Sequence, residues 1–119
     1  MITRVPRSRV VGLWLPVVAW AGLIFALSSL HSFASGLGAW DEVLRSLAHA
    51  TEYAVLGALL VRALDRPLPA FALGLAYAVS DELHQHFVPG RTADPRDVAI
   101  DALGVVAGIA LYRRLRDPA

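Results

Sequence analysis

The sequence predicts an all-α integral membrane bundle of four transmembrane helices with both termini cytoplasmic. Three observations predict it. First, 56% of the 119 residues are hydrophobic and the mean hydropathy is +0.54. A soluble domain of this size cannot hide that much apolar side chain, whereas a bilayer covers it with lipid. Second, the apolar residues gather into four stretches of helical length. Third, the arginines fall unevenly between the two ends of those stretches. The length fits one domain, residues 1–119.

The first span is read at 10–30, enough for about 30 Å of hydrocarbon. Pro16 lies inside it, which a membrane helix tolerates when its neighbours satisfy the freed backbone. The second span, 44–64, has a polar half with His49 and Glu52 and an apolar half, 53–61. The third, 68–83, opens after Pro67 and Pro69 and closes on Asp81 and Glu82. The fourth, 97–112, stops at Arg113 and Arg114. The last two are short, so polar residues must enter the bilayer edge or the membrane must thin.

Arg4, Arg7 and Arg9 before the apolar run, with Ser32-Phe33-Ala34 after it, also fit a secretory signal peptide. The run is longer than a usual signal core and more apolar segments follow, which favours an uncleaved first span. The absence of cysteine excludes disulfides, thiolate metal sites and cysteine nucleophiles. No basic run with interleaved aromatics suggests nucleic acid.

Four spans place both termini on one side. Arg4, Arg7, Arg9, Arg62, Arg66, Arg113, Arg114 and Arg116 lie there, and only Arg45, Arg91 and Arg96 lie opposite. The positive-inside rule makes the first side cytoplasmic. The acids do the reverse. Asp41, Glu42, Glu52, Asp81, Glu82, Asp94, Asp97 and Asp101 fall on the outer half, with all four histidines, His31, His49, His84 and His86.

Ionisable groups within a span are costly and usually face a bundle interior or a wet cavity. Their spacing agrees. His49 and Glu52 are three apart, as are Asp81 and His84; Asp81 and Gln85 are four apart, as are Asp97 and Asp101. The last series continues into Gly104 and Gly108, a Gly-x-x-x-Gly pair that lets another helix approach closely. The face bearing the aspartates is therefore also the expected packing face. Pro89-Gly90 marks a turn that can fold Arg91 back over the acids. Plainer readings stand beside these. Asp97 suits a helix N-terminus, Glu82 an interface, and His49 with Glu52 a packing pair. His31, His86, Asp41, Glu42 and Asp94 read as solvated loop residues.

Two stretches resemble a known family. Leu47-Ala48-His49-Ala50-Thr51-Glu52-Tyr53-Ala54-Val55-Leu56-Gly57 resembles the second-helix motif of the VanZ-like bacterial membrane proteins. The run Ser80-Asp81-Glu82-Leu83-His84-Gln85-His86-Phe87-Val88-Pro89-Gly90-Arg91, followed by Asp97, Asp101 and Leu103-Gly104, resembles its longest motif. The resemblance reaches from the first helix to about Tyr112, with a local departure at Ala93-Asp94-Pro95. It implies a compact multi-pass domain in the bacterial cytoplasmic membrane, associated with the cell envelope. The family's name comes from a protein linked to teicoplanin resistance, and a resistance role here is an analogy. The resemblance supplies no reaction.

Whether the chain is an enzyme stays open. As an enzyme or binder, it acts on a lipid-linked cell-wall precursor or glycolipid at the outer leaflet. His49, Glu52, Asp81, His84 and Asp101 are then the catalytic candidates, with a histidine as general base or acid. Glu82, Gln85, Arg91 and Asp97 are the substrate-binding candidates, Arg91 suiting a phosphate or carboxylate. The mixed histidine and carboxylate set can hold a divalent metal, but no motif of His-Glu-x-x-His tightness marks one. As a non-enzymatic scaffold or partner protein, it uses the same groups as interhelical glue. Transport ranks last, because the charges occupy one level of the bundle. Oligomeric state is open.

Overall fold

The computed structural model describes residues 6–29, 39–88 and 95–117. Four helices run α1 (Arg7–Ser28), α2 (Ala39–Leu64), α3 (Pro67–His86) and α4 (Pro95–Arg116), with no strand among the described residues. By length and composition two of them can cross a membrane, Arg7–Ser28 and Trp40–Leu64. α3 and α4 are 20 and 22 residues long, about 30 Å at 1.5 Å per residue. They outrun the apolar stretches at both ends, so the shortness expected at 68–83 and 97–112 belongs to the apolarity and not to the helix. Asp41 and Glu42 are also not loop residues: they form the first turn of α2.

The helices alternate in direction. α2 turns into α3 through Asp65 and Arg66. Asp65 has φ 58, the left-handed conformation that ends a helix and that Asp tolerates better than most residues. Arg66 is extended, as the residue before a proline must be, and Pro67 starts α3, where its missing N–H costs nothing. Arg116 reaches Asp65 at 2.6 Å, so α4 ends beside this turn. α1 begins at the same end, since Arg62 of α2 donates to the Gly12 carbonyl at 3.1 Å. Pro16 has no N–H for that carbonyl; the guanidinium supplies the donor that the helix lacks.

The buried residues trace one stripe per helix. On α1 it is thin: Val17, Ile24 and Ser28. α1 packs on α2 and α3 and makes no close approach to α4. Trp20 donates to the Glu52 carbonyl at 2.8 Å, and the Tyr77 hydroxyl to the Ala21 carbonyl. The stripe on α3 is Ala70, Gly74, Ala78, Asp81 and Gln85; that on α4 is Asp97, Asp101, Gly104, Val105, Gly108 and Ile109. Small residues let backbones meet. A Cβ at Gly104 would stand 2.5 Å from the Ala50 carbonyl oxygen, and one at Gly108 would overlap the carbonyl of Ala54. The Gly-x-x-x-Gly pair thus packs on α2. The outside is apolar: Val18 and Phe25 on α1, Leu47 on α2, Leu83 on α3, and Leu103 and Leu111 on α4 are all exposed.

Candidate functional site

Three helices bring polar side chains to one seam, at the end of the bundle away from the Asp65 turn. Each supplies residues four apart, one above the other on a single face. α2 supplies Arg45, His49 and Tyr53; α3 supplies Asp81 and Gln85; α4 supplies Asp97 and Asp101. The α2–α4 backbone contact at Ala50 and Gly104 fixes the distance across the seam.

Tyr53, fully buried, donates its hydroxyl to Asp81 Oδ2 at 3.0 Å. Toward the far end, His49 Nδ1 lies 3.1 Å from Asp101 Oδ1, with His49 7% and Asp101 2% exposed. An ionised Asp101 can only accept, so it holds a proton on Nδ1 and leaves Nε2 as the basic nitrogen. The next turn outward is Arg45, donating to Asp97 Oδ2 at 3.0 Å and to Glu42 Oε1 at 3.2 Å. Asp97 is in the first turn of α4, where an acid suits the dipole, but its carboxylate is buried against Arg45.

Asp81 Oδ1 and Gln85 Nε2 are buried without a hydrogen-bond partner among the described residues. Asp81 is 4% and Gln85 1% exposed. Unmade bonds on such groups are expensive. One donor atom each from His49, Asp81 and Asp101 falls within 4.8 Å of the others. The seam therefore joins a histidine and two carboxylates in a dry setting, with spare acceptor capacity on α3.

Of the residues named from sequence, His49, Asp81, Gln85, Asp97 and Asp101 share this seam. His84 does not join them. Its ring stacks on Phe25 of α1 at 4.3 Å, and its Nε2 lies 2.9 Å from Ser29 Oγ. Ser29 spends its one proton on the Phe25 carbonyl, so the imidazole is the donor. His84 thus ties α3 to α1, although three-residue spacing had grouped it with Asp81. Glu52 and Glu82 are half-buried beside the seam, and His86 is the exposed last residue of α3. Arg91, with His31 and Asp94, lies outside the described residues.

Two members of the seam were not singled out from sequence. By composition Tyr53 belongs to the apolar half of the second span, yet it stands four residues from His49. Arg45 reads in the sequence as a topology charge, yet it stands four residues before His49. The same spacing that selected Asp97 and Asp101 marks both.

No curated protein and no solved structure matches the chain. The family model VanZ/LLP1 matches residues 5–116. That match takes in all four helices and every side chain of the seam, and the chain belongs to the VanZ/LLP1 family.

Proposed function

We propose that the chain is a multi-pass protein of the bacterial cytoplasmic membrane that crosses four times with both termini inside. Its His49–Asp101 and Tyr53–Asp81 centre binds or acts on the polar head of a lipid-linked cell-envelope molecule at the extracytoplasmic face. Family membership supports the general class. Exposed large apolar side chains on all four helices support a lipid-facing exterior. The arginines at the terminal end, Arg62, Arg66, Arg113, Arg114 and Arg116, support the orientation.

The observation that carries the reading is Asp81. A carboxylate oxygen buried in an apolar bundle without a hydrogen-bond partner among the described residues is a poor structural device and a good ligand acceptor. A second reading is favoured by the α2–α4 seam itself: the His49–Asp101 bond spans the helices that Gly104 and Gly108 press together, as glue would. Such bonds contribute only about 0.6 kcal/mol on average in a bilayer, so stability alone is a thin reason for five buried polar side chains.

The experiment substitutes His49, Asp81, Asp101 and Tyr53 singly in cells that depend on the chain for teicoplanin tolerance or envelope-stress survival. Membrane insertion and thermal stability are measured on the same variants. Inserted, stable variants that lose the phenotype support a site. Stable variants with full activity refute it, and variants that fail to fold as a group favour glue. Reporter fusions at residues 34, 65, 92 and 119 check the four-span topology, with 34 and 92 expected outside and 65 and 119 inside.

A further inference from the structure

We infer that His49, Asp81 and Asp101 form a binding site for one divalent transition-metal ion of the Zn2+ or Mn2+ kind. The inference rests on the reading above only in taking the same centre. The measurements below use purified protein, so a failed envelope assay and a failed metal assay are separate outcomes.

The geometry is the first support. One donor atom from each residue lies within 4.8 Å of the other two. Ligands about 2.1 Å from a common ion stand roughly 3–4 Å apart. The His49 Nδ1 to Asp101 Oδ1 separation of 3.1 Å already falls there. A small inward movement of the Asp81 carboxylate completes the set. Three different helices hold the three donors, so their positions follow from the bundle and not from a flexible loop.

The second support is independent of the cluster's composition. Asp81 is 4% exposed, its Oδ2 is held by the Tyr53 hydroxyl, and its Oδ1 has no hydrogen-bond partner among the described residues. Tyr53 orients the carboxylate while leaving the second oxygen available, as an outer partner does for a ligating group. One turn along α3, Gln85 is 1% exposed with its amide nitrogen likewise unpartnered among the described residues.

Charge is the third. With the imidazole neutral, as a metal ligand must be, two ionised carboxylates leave two negative charges in a dry interior. Arg45 offsets Asp97 and Glu42 and does not reach this layer by any described contact. A divalent cation balances the two charges and replaces the His49–Asp101 hydrogen bond with two coordinate bonds, the imidazole staying neutral as its proton passes from Nδ1 to Nε2. An imidazole beside carboxylates suits Zn2+ or Mn2+. Mg2+ keeps several waters, for which a buried site has little room.

The full-length protein is purified in detergent, stripped with chelator and titrated separately with zinc and manganese chloride. Metal content is read by mass spectrometry after equilibrium dialysis. The expected result is about one ion per chain with either metal. Asp81→Asn and Asp101→Asn each weaken binding by about 10-fold or more, whereas Glu42→Gln and His86→Gln leave it unchanged. X-ray absorption on the zinc-loaded wild type needs no variant to fold. One imidazole with oxygen ligands is expected; two or more imidazoles assign the ion to other histidines and overturn the inference. No uptake by the wild type overturns it too, as does wild-type affinity in folded Asp81→Asn and Asp101→Asn proteins.

Discussion

Gly104 of α4 rests on the backbone of Ala50 in α2, where a Cβ would stand 2.5 Å from the carbonyl oxygen. The neighbour of Ala50 is His49, and three residues before Gly104 is Asp101, whose Oδ1 lies 3.1 Å from the imidazole. The hydrogen bond is thus set by how closely two backbones approach. Gly104→Ala pushes α4 away and costs about 1–3 kcal/mol. Gly22→Ala meets open space and stabilises by about 0.5 kcal/mol through helix propensity. Thermal unfolding of the two purified variants checks the opposite signs.

Tyr53→Phe keeps the ring and removes the hydroxyl that Asp81 Oδ2 accepts. Asp81 then has less to hold its charge, and stability falls by about 1 kcal/mol. In an Asp81→Asn background the same change costs less, because the acceptor is no longer a carboxylate. A double-mutant cycle measures the difference, expected to be about 0.5 kcal/mol or more. Additive losses would show that the pair is not coupled.

The Arg45–Asp97 bridge is lopsided: the arginine side chain is 25% exposed and the aspartate 6%. Arg45→Met strands a buried carboxylate and costs about 3 kcal/mol. Asp97→Asn costs less, since Arg45 still has Glu42 and solvent. Equal losses in the two variants, measured by chemical or thermal unfolding, would contradict the assigned burial.

Arg62 serves a carbonyl that Pro16 leaves unserved. In the native chain Arg62→Gln lowers stability by about 1 kcal/mol. With Pro16→Ala, the helix supplies its own N–H to Gly12 and the loss at Arg62 shrinks. Comparing melting temperatures of the two single variants and the double tests this dependence.

The helix order was legible in the sequence because apolar runs of such length have few alternatives. Their limits were less so. α2 starts at Ala39 and not near 44, and α3 and α4 extend past their apolar runs to His86 and Pro95: helices follow backbone and capping signals that hydropathy does not weigh. The aspartate seam was legible because Asp97, Asp101, Gly104 and Gly108 repeat on one face. The partner helix was not, since a small-residue face says only that something comes close. Tyr53 escaped because its ring is apolar and only its hydroxyl matters here. His84 was misgrouped because residues three apart diverge enough to serve different neighbours: Asp81 turns to Tyr53, and His84 to Ser29.

α2 carries a partner for every described acid of the seam: Tyr53 for Asp81, His49 for Asp101 and Arg45 for Asp97. It is also one of the two helices that by length and composition can cross a membrane, and both precede α3 and α4 in the chain. During biogenesis the acidic helices therefore arrive after their host. Alone, each would carry carboxylates without these partners; beside α2, each meets a waiting donor. Docking of the second half of the bundle is thus templated by the first.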